Sequence, residues 1–201
     1  KAALKTAVQA YNVDPTAAIV TYGLLATWDV SAVTDMSYLF YYLQNFNADV
    51  SNWDTSSVTD MRYMFQSASA FNQPLSFDTS SVTTMYHMFF RASAFNQPLS
   101  FDTSSVTIMD YMFIVRYPQP PVCRRSLPCT LLGTPSPAAT RRRPARNSPR
   151  SSPRIVCPPC DSRQHASAFN QPLSFDTSSV TTMYHMFFRA SAFNQPLSFD
   201  T

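Results

Sequence analysis

Apolar residues recur along this chain in an eight-residue pattern, Val-Thr-x-Met-x-x-Met-Phe, which occurs five times. Its apolar residues fall at i, i+3, i+6 and i+7, and this spacing predicts one buried face of a short helix. All nine methionines lie in two columns of the pattern, in which Leu39 is the one substitute. We call these stretches the Met segments: residues 33–40, 58–65, 82–89, 106–113 and 180–187.

A strand and a turn are predicted before each Met segment. Leu75-Ser76-Phe77 alternates apolar and polar residues, as a short strand with one buried face does. The next four residues, Asp78-Thr79-Ser80-Ser81, carry short oxygen side chains that bond nearby backbone N–H groups in turns and N-caps. Each Met segment is followed by a Phe-Asn pair. Its amide, as in Asn72, is predicted to bond the backbone of the neighbouring unit in a ladder.

Strand, turn and Met segment form a repeat unit, with a spacing of 25 residues from Trp28 to Trp53 and 24 from Trp53 to Phe77. One unit cannot enclose its own apolar face, so the units must stack. The predicted fold class is an α/β repeat solenoid, leucine-rich-repeat-like, with one short strand and one short helix per unit. The Met and Phe columns, with Trp28 and Trp53, are its predicted core.

Residues 1–27 differ from the repeat and predict a helical N-terminal cap. One helix face carries Leu4, Val8 and Tyr11. Asp14-Pro15 is a typical helix start, and Gly23 is a typical stop. Because the chain begins at Lys1 and stops within a unit, we expect it to be a piece of a longer polypeptide.

Residues 115–164 interrupt the repeat with ten Arg, eleven of the sixteen Pro and all four Cys. Residues 68–103 and 166–201 are identical at all 36 positions, and removal of 115–164 restores the 24-residue spacing between units. Such a composition predicts disorder. Since the segment begins with Val and ends with Gln, we interpret it as a translated, unspliced intron. The predicted organisation is a cap at 1–27, a solenoid at 28–114, the insert at 115–164, and a continued, truncated solenoid at 165–201.

The net charge of +3 is an average over two unlike parts. Residues 115–164 hold ten Arg and one Asp, for a charge of +9, whereas the rest holds five basic and eleven acidic residues, for −6. The repeat-bearing part is therefore acidic. The chain has two Gly and no Glu, and so few glycines exclude a phosphate-cradling loop or a dinucleotide fingerprint. No apolar run is long enough to span a membrane.

The cysteines and arginines of 115–164 suggest chemistry that their context does not support. Cys157 and Cys160 have zinc-knuckle spacing, and Cys123 and Cys129 would complete four thiolates, but the second pair is too widely spaced. A redox role for Cys157 and Cys160 lacks the strand-to-helix context. The run 141–143 would bind phosphates, so nucleic-acid binding is one alternative function. We predict no metal and no cofactor.

The repeated acids and histidines are the candidates for catalysis. His87 and His185 occupy the same repeat position, which favours solvent-facing helix residues. The Asp of the aromatic–Asp pair, as in Asp54, could form a paired-carboxylate site, but capping of its own turn is the favoured interpretation. We therefore predict no catalytic residues, and a hydrolase that uses the Asp and His columns is the second alternative.

Residues 46–65 carry a family resemblance. They read Phe-Asn-Ala-Asp-Val-Ser-Asn-Trp-Asp-Thr-Ser-Ser-Val-Thr-Asp-Met-Arg-Tyr-Met-Phe. This unit resembles the BspA-like leucine-rich-repeat surface proteins, in the form found in mycoplasmas and protists. The resemblance implies a curved solenoid that acts in adhesion or protein recognition at a cell surface, without catalytic residues. The later units depart from it by Phe in place of Trp and by one missing residue.

The expected function is therefore non-enzymatic recognition or adhesion, through contacts with another protein or a glycan across the strand face. Nucleic acid is not an expected partner. The predicted ligand surface consists of outward strand positions and the neighbouring acids: Ser51, Asn52, Asp54, Ser76, Asp78, Ser100, Asp102, Ser174 and Asp176.

Overall fold

The computed structural model describes residues 1–114 and 168–200, which belong to one compact unit. The expectations for 115–164, namely disorder, the four cysteines and the arginine run, lie outside the described residues.

Two helices precede the repeats. Helix α1 spans Ala2–Val13 and helix α2 spans Pro15–Tyr22. The Asp14 carboxylate accepts a hydrogen bond from the Ala17 N–H at 3.0 Å, and Gly23 ends α2 with a φ of 77°. The helix start and stop predicted from the sequence agree with these contacts. A 3₁₀ turn follows at Leu25–Thr27.

Helix α1 packs on the first repeat unit through both apolar and polar contacts. Val8 and Tyr11 are buried in the shared core, and the Tyr11 ring meets the Trp28 ring edge-on at 5.5 Å. The Lys1 ammonium lies 2.7 Å from the Asp35 carboxylate. The Asn12 side chain accepts a hydrogen bond from the Asn45 N–H at 3.1 Å. The helices thus cover the apolar end of the first unit.

Successive repeat units lie side by side in parallel. Isolated parallel bridges join Asp35 to Asp60, Asp60 to Thr84, Thr84 to Ile108 and Ile108 to Thr182. The bridge from Ile108 to Thr182 is parallel like the others, although residues 115–164 separate its two partners in the sequence. Strands β1 (Leu173–Asp176) and β2 (Leu197–Asp200) pair in parallel, in register. Assigned strands are confined to these two stretches among the described residues, whereas one strand per unit was predicted.

The short helix predicted for each Met segment is not present in the described residues, which form turns there instead. The N–H groups of Met85, His87 and Phe89 donate to carbonyls of the next unit at 2.9–3.0 Å, and the N–H of Met88 closes a turn onto the Met85 carbonyl. His87 and Arg91 have φ values of 58° and 61°. Single left-handed residues of this kind interrupt a right-handed helix, so the backbone bonds run between units.

The core predicted from the Met and Phe columns is confirmed in the inner units. The Met side chains of residues 36–112 are fully buried. The Phe rings stack from unit to unit: Phe65 and Phe89 lie 5.5 Å apart, and Phe89 and Phe113 lie 5.7 Å apart, with almost parallel planes. Trp53 is buried, whereas Trp28 is only partly buried.

Candidate functional site

The predicted ligand surface is built by alternation along each segment that precedes a turn. Leu75 and Phe77 point into the core, while Ser76 and Asp78 are exposed. The same arrangement recurs at Ser100 with Asp102, and Ser174 is exposed beside a partly exposed Asp176. We call the hydroxyls of Ser76, Ser100 and Ser174 the Ser row. We call the carboxylates of Asp29, Asp54, Asp78, Asp102 and Asp176 the Asp row.

Each carboxylate of the Asp row is held by a serine two residues later. Asp78 accepts hydrogen bonds from the Ser80 N–H at 3.0 Å and the Ser80 hydroxyl at 2.7 Å. Asp102 accepts the same two bonds from Ser104 at 3.0 and 2.6 Å. The predicted turn-capping role of these acids is confirmed. Asp176 accepts the Ser178 N–H at 2.9 Å.

Hydrogen bonding keeps the Asp row ionised. The side-chain bond from Ser80, followed by the backbone bond, lowers the pKa of Asp78, and the bonds from Ser56 lower the pKa of Asp54 in the same way. Repulsion from Asp29 and Asp78 opposes the lowering at Asp54 but is weaker. A hydrogen bond to the charged form has this effect in general.

Ion pairs in the described part of the chain use other acids. They join Lys1 to Asp35 and Arg62 to Asp60. The Asp row therefore presents a line of negative charge in which each carboxylate orientation is fixed by its own turn.

A buried threonine row supports the Asp row, and the sequence reasoning did not single it out. The Thr55, Thr79 and Thr103 hydroxyls donate to the main-chain carbonyls of Asp78, Asp102 and Asp176 at 2.9, 2.8 and 2.7 Å. Each of these threonines is 1% exposed. The sequence does contain a signal for this row. Each threonine directly follows an acid of the Asp row, and the alternation of inward and outward side chains turns that next position inward. These bonds tie each turn to the next unit.

Ser51 and Asn52 do not occupy outward strand positions, so this part of the predicted surface needs correction. Both lie in a turn, in which the Ser51 N–H donates to the Asp49 carboxylate at 2.8 Å. The Trp53 N–H closes a turn onto the Val50 carbonyl at 3.2 Å. The additional residue of the Trp-containing units is taken up in this turn. Ser51 is half-buried, whereas Asn52 is exposed.

The predicted asparagine ladder is confirmed. The Asn72 Oδ1 accepts the N–H of Asn96 at 2.9 Å, and the Asn96 Oδ1 accepts the N–H of Asn170 at 2.8 Å. The Gln97 amide also donates to the Asn72 carbonyl at 3.1 Å. The ladder therefore continues from Asn96 to Asn170 with the same geometry as from Asn72 to Asn96, and it positions the segments that carry the Ser row.

Replacement of Asn96 by Ala is expected to lower the free energy of unfolding by about 1–3 kcal/mol, because the Asn170 N–H loses its acceptor. The matched control is Asn194→Ala, since the exposed Asn194 accepts only from Gln195 within the described residues. Urea unfolding of both variants measures the difference. Equal losses would contradict the ladder's contribution.

A row of aromatic and imidazole rings runs along the Met segments. It comprises Tyr38, Tyr63, His87, Tyr111 and His185, all with positive φ. His87 is not the solvent-facing helix residue that was predicted. Its ring lies partly buried, 5.0 Å from the Tyr63 ring and 4.8 Å from the Tyr111 ring, and neither ring nitrogen has a hydrogen-bond partner in the described part of the chain. Burial lowers the pKa of His87 to about 4, against a weaker opposing effect of Asp110.

The buried imidazole predicts a pH dependence of stability. The unfolded chain protonates His87 near pH 6.5, while the folded chain resists protonation until about pH 4. Stability is therefore expected to fall as the pH drops from 6.5 towards 4, by about 1–3 kcal/mol after allowance for partial exposure. Urea unfolding across this range should show a smaller fall for His87→Phe than for the native chain.

His185 is the matched control for this experiment, because its sequence neighbours are identical and its ring is exposed. His185→Phe should leave the fall between pH 6.5 and 4 close to that of the native chain. Equal changes of the pH profile in the two variants would contradict a dependence on the burial of His87.

The repeats match a known family model. It is described as "Mycoplasma protein of unknown function, DUF285", and it matches residues 7–117 and 162–201. The chain belongs to the DUF285 family. No curated protein and no solved structure matches this chain. The two stretches that match DUF285 contain the Ser row, the Asp row and all five Met segments.

Two further properties of this DUF285 chain concern the described residues alone. Within 1–114 and 168–200, no helix combines the length and apolar character needed to cross a membrane. Over the same ranges, no cluster of three or more His, Cys, Asp or Glu side chains is placed to hold a metal ion.

Proposed function

We propose that this chain is a non-enzymatic recognition or adhesion protein of the BspA-like leucine-rich-repeat type, and that its units stack as a solenoid at a cell surface. Its ligand would be a protein or glycan bound across the Ser and Asp rows. The observation that carries the proposal is the repetition of one Ser–Asp pair, exposed at Ser76 with Asp78 and at Ser100 with Asp102, and exposed at Ser174 with a partly exposed Asp176.

The chemistry of these rows suits a ligand with several positive charges or hydroxyl groups. Both hydrogen bonds from Ser80 fall on one carboxylate oxygen of Asp78, Oδ1, which fixes the carboxylate while the side chain stays exposed. Neighbouring units of a parallel sheet are about 4.8 Å apart, so the rows offer equivalent groups at short, regular intervals. Several weak contacts of this kind add up when one ligand spans them.

The carboxylates of the Asp row have similar surroundings, and this similarity favours a binding role over hydrolysis. Two-carboxylate catalysis requires unlike environments that push the two pKa values apart. Here serine hydrogen bonds lower the pKa values of Asp54, Asp78 and Asp102 alike. Three acids in the same state supply negative charge but no acid–base pair.

The test neutralises two members of the Asp row. Asp78→Asn/Asp102→Asn keeps an acceptor for the turn serines and removes two charges. Binding to an oligolysine peptide and to a glucosamine oligosaccharide, measured by calorimetry at low salt, should weaken about 2- to 30-fold, as expected for two exposed charge contacts.

The matched control is Asp14→Asn/Asp49→Asn, which changes the net charge equally outside the Asp row. Asn is as good an N-cap as Asp, so α2 should persist. Equal weakening in the control would reduce the effect to net charge and contradict a site on the Asp row. Failure of the native chain to bind either probe would also contradict it.

A further inference from the structure

The Met segments carry a second surface, formed by residues that belong to neither the Ser row nor the Asp row. Rings at one repeat position follow each other across three successive units. The ring centroids of Tyr38 and Tyr63 lie 4.5 Å apart, and those of Tyr63 and His87 lie 5.0 Å apart. Further tyrosines flank this column. We call the surface formed by Tyr38, Tyr41, Tyr42, Tyr63, Tyr86 and His87 the ring face.

The ring face is a continuous aromatic patch that solvent reaches. Tyr38 is 37% exposed and Tyr42 is 46% exposed, while the other members are half-buried. The Tyr41 ring meets those of Tyr38 and Tyr42 edge-on, at 5.3 and 4.5 Å. The Tyr86 ring extends the patch at 5.2 Å from Tyr63. Contiguous exposed patches of this kind mark binding surfaces.

Polar groups without partners lie in the same part of the fold. Gln66 and Ser67 occupy the repeat positions of Tyr41 and Tyr42 in the next unit, and they are only 8% and 6% exposed. The Gln66 Oε1, the Ser67 hydroxyl and both ring nitrogens of His87 have no hydrogen-bond partner among the described residues. Because a buried polar atom without a partner costs free energy, a ligand that supplies hydrogen bonds here is favoured.

The charges beside the ring face are balanced or absent. Arg62 is paired with Asp60 at 2.7 Å. His87 is neutral at pH 7, because burial lowers its pKa to about 4. The Arg91 guanidinium lies outside the ring face, over the Phe90 ring at 5.1 Å. A neutral ligand therefore suits this surface, in contrast to the positively charged ligand that suits the Asp row.

We propose that the ring face binds a neutral, extended glycan of the β-linked glucan class. The exposed tyrosine rings would pack on the apolar C–H faces of the sugar rings. A straight β-linked chain can follow the column of rings from unit to unit. This site is separate from the Ser and Asp rows, and the inference does not rest on the proposed function of those rows.

Sugar hydroxyls match the polar groups of the ring face because each hydroxyl both donates and accepts. The Gln66 Oε1 only accepts, the Ser67 hydroxyl does both, and a neutral His87 ring has one donor and one acceptor. A proline-rich peptide also packs on tyrosines, but it has few N–H groups to offer the Gln66 Oε1. The Tyr42 N–H donates to the Gln66 carbonyl at 2.8 Å, so rotation of the exposed Tyr42 side chain would open the way to these groups.

The test titrates the full 201-residue chain with cellohexaose, followed by calorimetry. Cellohexaose is expected to bind with a Kd below about 1 mM. Maltohexaose contains the same sugar in a curved chain and should bind at least about ten-fold more weakly. Asp78→Asn/Asp102→Asn should leave cellohexaose binding unchanged, so a failure of the Asp-row proposal is distinguishable from a failure of this one.

Variants of the ring face make the result specific. Tyr38→Ala/Tyr42→Ala removes its two most exposed rings and should weaken cellohexaose binding at least about ten-fold, whereas Tyr38→Phe/Tyr42→Phe keeps the rings and should retain most of the affinity. Tyr22→Ala is the matched control, since Tyr22 is 41% exposed on α2, outside the ring face. Gln66→Leu should weaken binding about 2- to 10-fold without lowering the midpoint of urea unfolding, because the Gln66 Oε1 has no partner to lose within the described residues.

Four outcomes would overturn the proposal. The first is no binding of cellohexaose at millimolar concentration. The second is equal binding of maltohexaose, which would contradict an extended ligand. The third is equal weakening by Tyr22→Ala and by Tyr38→Ala/Tyr42→Ala. The fourth is loss of cellohexaose binding in Asp78→Asn/Asp102→Asn, because the glucan would then bind at the Asp row.

Discussion

Replacement of Phe89 by Ala is expected to lower the free energy of unfolding by about 3–5 kcal/mol. Phe89 is 2% exposed and contacts the rings of Phe95 at 4.2 Å, Phe65 at 5.5 Å and Phe113 at 5.7 Å. Its removal leaves a cavity between units on both sides, and side chains that are locked in stacks cannot close it. Urea denaturation followed by near-ultraviolet circular dichroism measures the loss.

Phe187→Ala is the matched control, because Phe187 has the same sequence neighbours but is partly exposed at the last described unit. In the native chain, the Phe187 ring stacks on Phe113 at 5.5 Å and on Phe193 at 4.4 Å. Among the described residues, no further unit lies beyond Phe187. Its loss should be about half that of Phe89 in proportion to the smaller buried area. Equal losses at the two positions would contradict the difference in packing.

Deletion of residues 115–164 is expected to raise the free energy of unfolding by about 2–3 kcal/mol, because the connection between described units becomes much shorter. Between Ile114 and Ala168 the number of intervening residues falls from 53 to 3. The shorter connection fits, since Phe113 and Phe169 have the same 4.2 Å ring separation as Phe89 and Phe95 in an uninterrupted unit. Guanidinium unfolding of both chains measures the gain.

Charge provides a second readout for this deletion. The net charge should change from +3 to −6, so the shortened chain should bind an anion exchanger at neutral pH. The control replaces 115–164 with a Gly/Ser linker of equal length, which alters the charge but keeps the long connection and should bring little gain in stability. A deletion that unfolds the chain, or a linker variant as stable as the deletion, would contradict the account.

Features that depend on local chemistry could be predicted from the sequence. Asp14 and Gly23 act as a helix start and stop because an N-cap oxygen and a left-handed residue work within a single turn. The Asp78 turn follows from a carboxylate two residues before Ser80. Burial of the Met and Phe columns follows from repetition itself, since every unit must hide the same apolar side chains.

Features that depend on neighbouring units could not be predicted in this way. The i, i+3, i+6, i+7 spacing of residues 82–89 fits a helix, but it also fits successive turns whose N–H groups bond the next unit. The left-handed conformations of Tyr63, His87 and Arg91 are costly for residues with a Cβ, and no glycine marks them. Inter-unit hydrogen bonds and ring stacking offset that cost. The burial of His87 likewise depends on tyrosines of the units on either side.

The described units that precede and follow 115–164 in the sequence are direct neighbours in the fold. Scalar coupling through hydrogen bonds, measured by nuclear magnetic resonance on the full chain, provides a direct test of this. Coupling is expected from the Met109 amide nitrogen to the Thr182 carbonyl carbon and from Tyr111 to Tyr184, as from Met85 to Ile108. Coupling between Met85 and Ile108 without any between Met109 and Thr182 would contradict the claim.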